Sequence, residues 1–333
     1  MSKLAVGFIV YGENAVKYLT HLLPSLKEQT HKGFDVLCLD NNEAGNNPHS
    51  EYIKNNHPEI DYEWSGKNLG FARGHNRLIR KAIEGAAEYY LALNTDMVFS
   101  PDMIEKMVAA IEGDGRIGAV QPRILRWDFE RNIKTNTIDS LGTVMDDKFR
   151  FFDYGQGREA QETGEMREIF GFTGAAVLFR LSALKDTAFR GEFFDEMMFM
   201  YKEDCDLSLR LRLAGWKIVL ASKATAHHDR TAATVGMSLL DIALNRRSKS
   251  VRVKRWSFFN QWVMVFKFFP LLPLRIKMKT AAYQLASLAF AFIFESYLIR
   301  EFFAVWKKRP EIAAKRDGLK IALPEPEIEK LFS

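Results

Sequence analysis

Over its first 121 residues the chain alternates short apolar runs with helix-patterned stretches, and no other feature restricts the fold as strongly. Residues 3–10, 34–39, 60–64, 88–93 and 117–121 are brief β-rich runs. Residues 15–28, 71–84 and 101–112, lying between them, carry apolar side chains at helical spacing. Short buried strands separated by helices define βαβ units, and those units need a mainly parallel sheet covered on its faces. Ser100 before Pro101 marks one helix start, a capping residue with proline at the first helical position. Residues 123–168 lose the rhythm and read as hairpins or an excursion over the sheet edge. A strand at 174–179, a helix at 204–214 and a strand at 217–220 restore it.

Charge divides the chain a second way. From Gly236 onward there are 18 Lys+Arg against 8 Asp+Glu, whereas the first 235 residues hold 29 against 34. The reading is therefore an α/β domain over 1–235 and a helical, basic and aromatic extension over 236–333. Arg246, Arg247, Lys249, Arg252, Lys254 and Arg255 precede the run WSFFNQWVMVFKFFPLLPL, and Arg275, Lys277 and Lys279 follow it. Cations mixed with Trp, Phe and Leu suit an anionic membrane surface. Asn260, Gln261, Lys267, Pro270 and Pro273 interrupt the apolar run, and residues 280–299 contain Gln284 and Glu295. Helices lying in the interface or packed on a core are thus expected, not a clean span. A dimerisation or core-covering role is the alternative, which leaves a homo-oligomer open.

No nucleic-acid recognition motif accompanies the basic charge, so no nucleic-acid partner is expected. Cys38 and Cys205, the only two cysteines, form neither a disulfide framework nor a cysteine metal site by spacing, and a reducing compartment fits them. The first apolar run enters a polar turn without a small-residue cleavage site, so it reads as a strand and not a signal peptide. The expected location is cytoplasmic, peripheral to the inner face of the cell membrane.

In open α/β sheets, ligands bind beyond the carboxyl ends of the strands. Three polar clusters fall at such ends: Tyr11-Gly12-Glu13, Asp40-Asn41-Asn42 and Asn94-Thr95-Asp96. One alone would also be an ordinary turn start; three in one sheet point to a ligand. A carboxylate there can accept from a nucleotide base or ribose, and another can hold a divalent cation. In NLGFARGHN, Gly70 and Gly74 permit close backbone approach, and the helix that opens there favours an anion at its amino end. His227 and His228 read as a loop pair after the strand 217–220. Glu203, Asp204 and Asp206 crowd beside Phe199 and Tyr201 just ahead of a helix. Helix capping would tolerate them, but crowded carboxylates in a partly apolar pocket also acquire raised pKa values suited to accepting a proton. Asp206 and Arg210 have the spacing of a helix ion pair.

Five collinear segments carry a family resemblance: 34–42 (FDVLCLDNN), 68–76 (NLGFARGHN), 91–97 (LALNTDM), 174–184 (GAAVLFRLSAL) and 193–215 (FFDEMMFMYKEDCDLSLRLRLAG). Across roughly residues 3–230 the chain resembles glycosyltransferase family 2, and more narrowly its rhamnosyltransferase-like members. The resemblance implies a GT-A fold, a doubly wound sheet around a nucleotide-binding half. It implies inverting transfer of a sugar, rhamnose among the candidates, from a nucleotide-diphosphate donor to a hydroxyl of a saccharide or lipid-linked acceptor in cell-surface polysaccharide synthesis. Asp40 would meet the base or ribose, with Val10, Tyr11 and Glu13 nearby. Asn68, Gly70, Arg73 and Asn76 would surround the diphosphate. Asn94 stands where the metal motif Asp-x-Asp has its first acid, so Asn94 and Thr95 would touch the donor and Asp96 would bind Mg²⁺ or Mn²⁺. His228, or its neighbour His227, would be a further ligand. Asp204 maps to the general base, with Glu203 the runner-up, and Asp195 and Glu196 to the acceptor side. A pyrophosphorylase would need a Gly-rich basic phosphate loop, and a dehydrogenase a G-x-G-x-x-G after the first strand; VYGENAV supplies neither. A catalytically silent nucleotide-sugar-binding module of the same fold is the remaining alternative.

Overall fold

The computed structural model describes residues 3–12, 15–161, 164–230 and 250–331. Glu13 and the basic residues Arg246, Arg247 and Lys249 lie outside the described residues.

Its centre is a sheet built from β1 (Leu4–Val10), β2 (Phe34–Asp40), β3 (Asp61–Trp64), β4 (Tyr89–Leu93), β5 (Met97–Phe99), β6 (Ile117–Asp128), β7 (Ile133–Ser140), β10 (Arg167–Glu168), β11 (Ala176–Arg180) and β12 (Lys217–His228); β8 (Thr143–Met145) and β9 (Phe151–Asp153) form a separate hairpin. The main path runs β10-β12-β6-β11-β4-β1-β2-β3. Along it β3, β2, β1, β4, β6 and β12 point the same way, while β11 sits antiparallel between β4 and β6, and β10 is antiparallel to β12. The sheet is mainly parallel, as the alternating pattern requires.

Period-two alternation decides which side chains go where. Leu4, Val6, Phe8 and Val10 of β1 face a core closed by α1 (Ala15–Lys27) and α4 (Met103–Gly113). Ala5 and Ile9 face the opposite core, closed by α3 (Gly70–Glu84), α5 (Leu181–Thr187) and α6 (Glu203–Leu213). α2 (Pro48–Asn56) falls where the sequence reading had no helix, although the signal was present. Asn47 accepts from the backbone N–H groups of His49 and Ser50, and Pro48 takes the first turn.

α6 explains how the tail is attached. Leu207 and Leu211 enter the sheet-side core, whereas Cys205, Leu209 and Leu213 enter a third cluster with Trp262, Val263 and Phe268 of the helix Val251–Phe268. A helix apolar on both sides has to be buried on both, and the tail supplies the second cover. The helices Leu274–Phe294, Ile299–Lys307 and Arg309–Asp317 follow. Two of the tail cations have acidic partners within the tail: Lys254, largely buried, pairs with Glu295 at 3.1 Å, and the exposed Arg255 with Glu301 at 2.6 Å. No helix among the described residues is long and apolar enough to cross a membrane.

Candidate active site

The carboxyl ends of β1 and β4, with the start of α3, border a cleft of about 300 Å³. Tyr11, Tyr18, Asn41, Asn68, Gly70, Phe71, His75, Asn94, Thr95, Asp96 and Met200 are among its lining residues. Each of the three polar clusters expected there reaches it, through Tyr11, through Asn41 and through the Asn94-Thr95-Asp96 turn. His75 is buried and its Nδ1 lies 2.8 Å from the Tyr90 hydroxyl; burial pushes its pKa down to about 3, so it is neutral.

Asp40, expected to meet the base or ribose, is engaged by protein partners here. It is fully buried, and its oxygens accept from the Asn42 backbone (2.8 Å), the Asn42 side chain (2.7 Å), the Asn47 side chain (2.7 Å) and the Tyr62 hydroxyl (2.6 Å). With those four bonds its acceptor positions are satisfied within the protein. Its effect on the cleft is indirect: Asn42, held this way, accepts from the Gly12 N–H at 3.0 Å, while His49 of α2 meets the Gly12 carbonyl at 2.6 Å. The Tyr11-Gly12 turn is thereby clamped from two elements. The Val10 carbonyl is also engaged, accepting from the Asn41 N–H at 2.9 Å.

NLGFARGHN divides between the cleft and the scaffold. The Asn68 side chain accepts from the Gly70 N–H at 2.9 Å. Gly70 has φ +73°, and a Cβ there would sit 2.3 Å from the Phe199 carbonyl oxygen, so glycine is required. Arg73, half-exposed, turns to Glu196 at 3.3 Å and does not line the cleft. Asn76 is buried and clamps the 194–196 segment, donating to the Phe194 carbonyl (2.8 Å) and Glu196 (3.1 Å) and accepting from the Phe194 N–H (2.8 Å). The expectation of diphosphate contacts for Arg73 and Asn76 therefore meets a protein partner, Glu196, that neither motif spacing nor charge revealed.

The histidines are not in a loop. β12 continues past an irregularity between Ala221 and Thr225 and carries both to its end, antiparallel to β5 and parallel to β6. Alternation then separates them. His228 brings Nε2 to 3.3 Å from Asp96 Oδ1 and Nδ1 to 2.9 Å from Asp139 Oδ2. Burial opposes its charge, but Asp96 and Asp139 outweigh burial and push its pKa up to about 10. His227 lies elsewhere, lowered to about 4 by burial with help from Lys134 and Arg123. Asp96 and His228 are thus the pair that could share a cation. Asp139 on Nδ1 would fix the imidazole with Nε2 as the ligand atom, the usual outer-shell arrangement for a metal-binding histidine. Among the described residues no group of three or more His, Cys, Asp or Glu converges as a metal site, so a cation here would need donor oxygens and water to fill its shell. Asp139 carries no signal in the sequence; it lies in the region that reads as hairpins or an excursion over the sheet edge.

The 199–204 strap reaches the cleft through Met200. Tyr201 and Lys202 both have positive φ, at 75° and 67°. Met200 lines the cleft, and Asp204 follows at the start of α6. Asp204 accepts from the Gly174 N–H at 3.1 Å and from the Cys205 N–H at 2.8 Å. The residue after Gly174, Ala175, accepts from the Asn94 N–H at 2.8 Å, so one short segment ties Asp204 to the Asn94-Thr95-Asp96 turn. Glu203 is buried with Oε2 unpartnered, and burial, then Asp204, push its pKa well above the ordinary carboxylate value. Asp195 is buried beneath the tail, paired with Lys267 and Lys315, and Lys267 also pairs with Asp206. It holds scaffold together where an acceptor-side position was expected. Glu196 is partly exposed beside Arg73. The expected Asp206–Arg210 ion pair is present at 2.7 Å.

A mainly parallel sheet with a cleft at its carboxyl edge and an Asn-Thr-Asp turn beside a histidine defines a GT-A type protein. The Glycosyl transferase family 2 model matches residues 6–187, more than half of the chain. The chain belongs to glycosyltransferase family 2 and is a glycosyltransferase by family. It is 26% identical over 231 residues to an N-acetylglucosaminyl-diphospho-decaprenol L-rhamnosyltransferase of Mycobacterium tuberculosis, covering 65% of this chain and 73% of that one. Among solved structures, S. aureus TarS 1-349 in complex with UDP-GlcNAc has a TM-score of 0.56 at 13% identity, with 99% of this chain and 90% of that chain covered. GalNAc-T7 with UDP, GalNAc and Mn²⁺ has a TM-score of 0.54 at 14% identity, covering 73% and 47%. Both are likenesses of fold.

Proposed function

We propose that this chain is a divalent-cation-dependent inverting glycosyltransferase that moves a sugar from a nucleotide-diphosphate donor to a hydroxyl of a saccharide or lipid-linked acceptor. The observation that carries this reading is the array Asp96–His228–Asp139 at a cleft that Asp96 and Met200 both line, with Asp204 four residues beyond Met200 and outside the lining itself. Asp96 and His228 would hold Mg²⁺ or Mn²⁺, which when bound would neutralise charge gathering on the departing diphosphate. Asn94, Thr95, Tyr11, Asn68 and Gly70 would line the donor. Asp204 accepts the acceptor hydroxyl proton as that oxygen bonds to the anomeric carbon, and the carbon–diphosphate bond breaks on the opposite side. Inversion follows from a single displacement. General-base assistance of this kind contributes about 10²–10⁴-fold. Glu203, kept neutral by burial, is poorly suited to accept the proton.

A rhamnose donor and a lipid-linked acceptor are supported by the named activity of the mycobacterial relative. Docking on an anionic membrane surface is supported by the helix Leu274–Phe294. Its first two turns carry Arg275, Lys277 and Lys279, it contains no acidic residue, and Leu274, Met278, Leu285, Phe292, Ile293 and Phe294 are exposed. Apolar burial plus cation attraction is the physics of interfacial binding.

The test is a panel of nucleotide sugars assayed for nucleotide release with and without Mn²⁺, using wild type, Asp96→Ala and Asp204→Asn. Transfer by wild type alone is expected. Binding of a nucleotide sugar with no turnover on any acceptor would favour the silent-module reading. Sedimentation with phosphatidylglycerol against phosphatidylcholine vesicles tests docking, and equal recovery with both would remove the anionic surface.

A further inference from the structure

We propose that the tail helix Val251–Phe268 is a working part of the active site, with Asn260 acting as a positioning residue that sets the 199–204 strap and, through it, Asp204. The proposal rests on the reading of Asp204 as the general base.

The strap is an unusual piece of backbone. Tyr201 and Lys202 are consecutive non-glycine residues at positive φ, a conformation that L side chains rarely adopt. Such a shape persists only where its surroundings over-determine it. Its carbonyls at Met200 and Tyr201 find their partner in one buried amide: Asn260 Nδ2 donates to Met200 at 2.8 Å and to Tyr201 at 2.6 Å. One turn earlier on the same helix, Trp256 stacks on Phe199 with ring centroids 4.8 Å apart and planes 28° apart. Two turns later, Lys267 reaches Asp206 in α6 and Asp195. The helix therefore holds the strap at Phe199, Met200 and Tyr201 and anchors the segments on either side of it at Asp195 and Asp206.

The strap in turn joins the cleft to Asp204. The Phe199 carbonyl accepts from the Phe71 N–H at 2.9 Å and abuts Gly70, and Gly70, Phe71 and Met200 all line the donor cleft. Asp204 begins two residues after Lys202. Removing the two Asn260 bonds would leave two part-buried carbonyls without their donor, and the backbone would turn them toward water. A base displaced by even about 1 Å loses on the order of 10²-fold in rate.

The experiment uses the full chain with Asn260→Asp, which keeps the shape but removes the donors, Asn260→Ala, and Arg255→Ala as a control that breaks only the exposed Arg255–Glu301 pair. Turnover, donor KM and hydrogen exchange of residues 199–206 are measured for each. Both Asn260 variants are expected to lose about 10–100-fold in kcat with donor KM changed less than about threefold, and to exchange faster at 199–206 than elsewhere; the control should match wild type. Unchanged kcat and exchange in both variants would overturn the proposal. So would exchange accelerated evenly over the whole chain, the mark of general destabilisation. If Asp204→Asn remains active while Asn260→Ala still loosens 199–206 and slows turnover, the base assignment fails and the positioning role stands.

Discussion

The His228 imidazole meets Asp139, 89 residues earlier in the chain, through Nδ1 at 2.9 Å. Its other nitrogen thereby faces Asp96. Asp139→Asn should weaken Mn²⁺-dependent nucleotide binding by about 10–100-fold, because the outer partner fixes tautomer and orientation. His227→Ala, on the opposite side of β12, should leave it unchanged. Calorimetric titration of a nucleoside diphosphate with Mn²⁺ reads both. Equal affinities in wild type and Asp139→Asn would exclude His228 as a ligand.

Asp204 and Glu203 are adjacent yet electrostatically unlike. Asp204→Asn should lower turnover by about 10²–10⁴-fold while nucleotide affinity changes little; Glu203→Gln should retain most activity. The Gln variant carries a second signature. The pKa of Glu203 is raised above its ordinary 4.5, so the folded state keeps a proton that the unfolded chain releases. That contribution is complete below about pH 4.5 and is lost as pH rises. Urea unfolding at pH 5 and pH 8 should show wild-type stability falling more steeply with pH than that of Glu203→Gln, and parallel slopes would contradict the buried neutral acid.

Gly70 and Gly12 both have positive φ, but their surroundings differ. A Cβ at 70 would strike the Phe199 carbonyl at 2.3 Å, whereas one at 12 meets nothing within 4 Å. Gly12→Ala should cost about 1–2 kcal/mol of backbone strain alone. Gly70→Ala should cost more and reduce activity as well, since the strap must shift. Thermal unfolding of the two variants in parallel is the measurement, and an equal loss would mean that the strap yields freely.

Lys267 is buried between Asp195 and Asp206, and Lys315 adds a second cation to Asp195. Burial alone would raise the Asp195 pKa, but the two lysines outweigh it and hold the carboxyl below its usual range. Lys267→Met should destabilise by about 3–5 kcal/mol, leaving two buried carboxylates short of a partner. Asp195→Asn should likewise lower the urea midpoint, and Glu196→Gln, partly exposed, should lower it far less. An acceptor-binding Asp195 would show the reverse pattern, loss of activity at full stability.

Most strands and helices up to residue 121 are legible because burial imposes a period on each, although β5 (Met97–Phe99) is too short to show one and α4 begins at Met103, beyond the Ser100-Pro101 signal; the polar clusters at the strand ends are legible because an open sheet binds ligands there. α2 was overlooked although Asn47-Pro48 announces it, since nine residues offer too little apolar periodicity. Chemical type was read more reliably than address. Asp40, Arg73, Asn76 and Asp195 are the polar residues the motif expects, and Asn47, Glu196, Phe194 and Lys267 are protein partners that the motif does not show; only the Arg73–Glu196 pair lies at the surface.

By itself the order of residues determined the βαβ architecture, the family motifs and the tail's basic and aromatic character, because local period and short-range spacing encode these. Only the tertiary structure decided which histidine faces Asp96, that Asp139 stands behind it, and that Asn260 braces the strap leading to Asp204. Those relations join residues 60 to 132 positions apart, and no local pattern encodes them. They exist only once the sheet's register and the packing of α6 beneath the tail have brought the segments together.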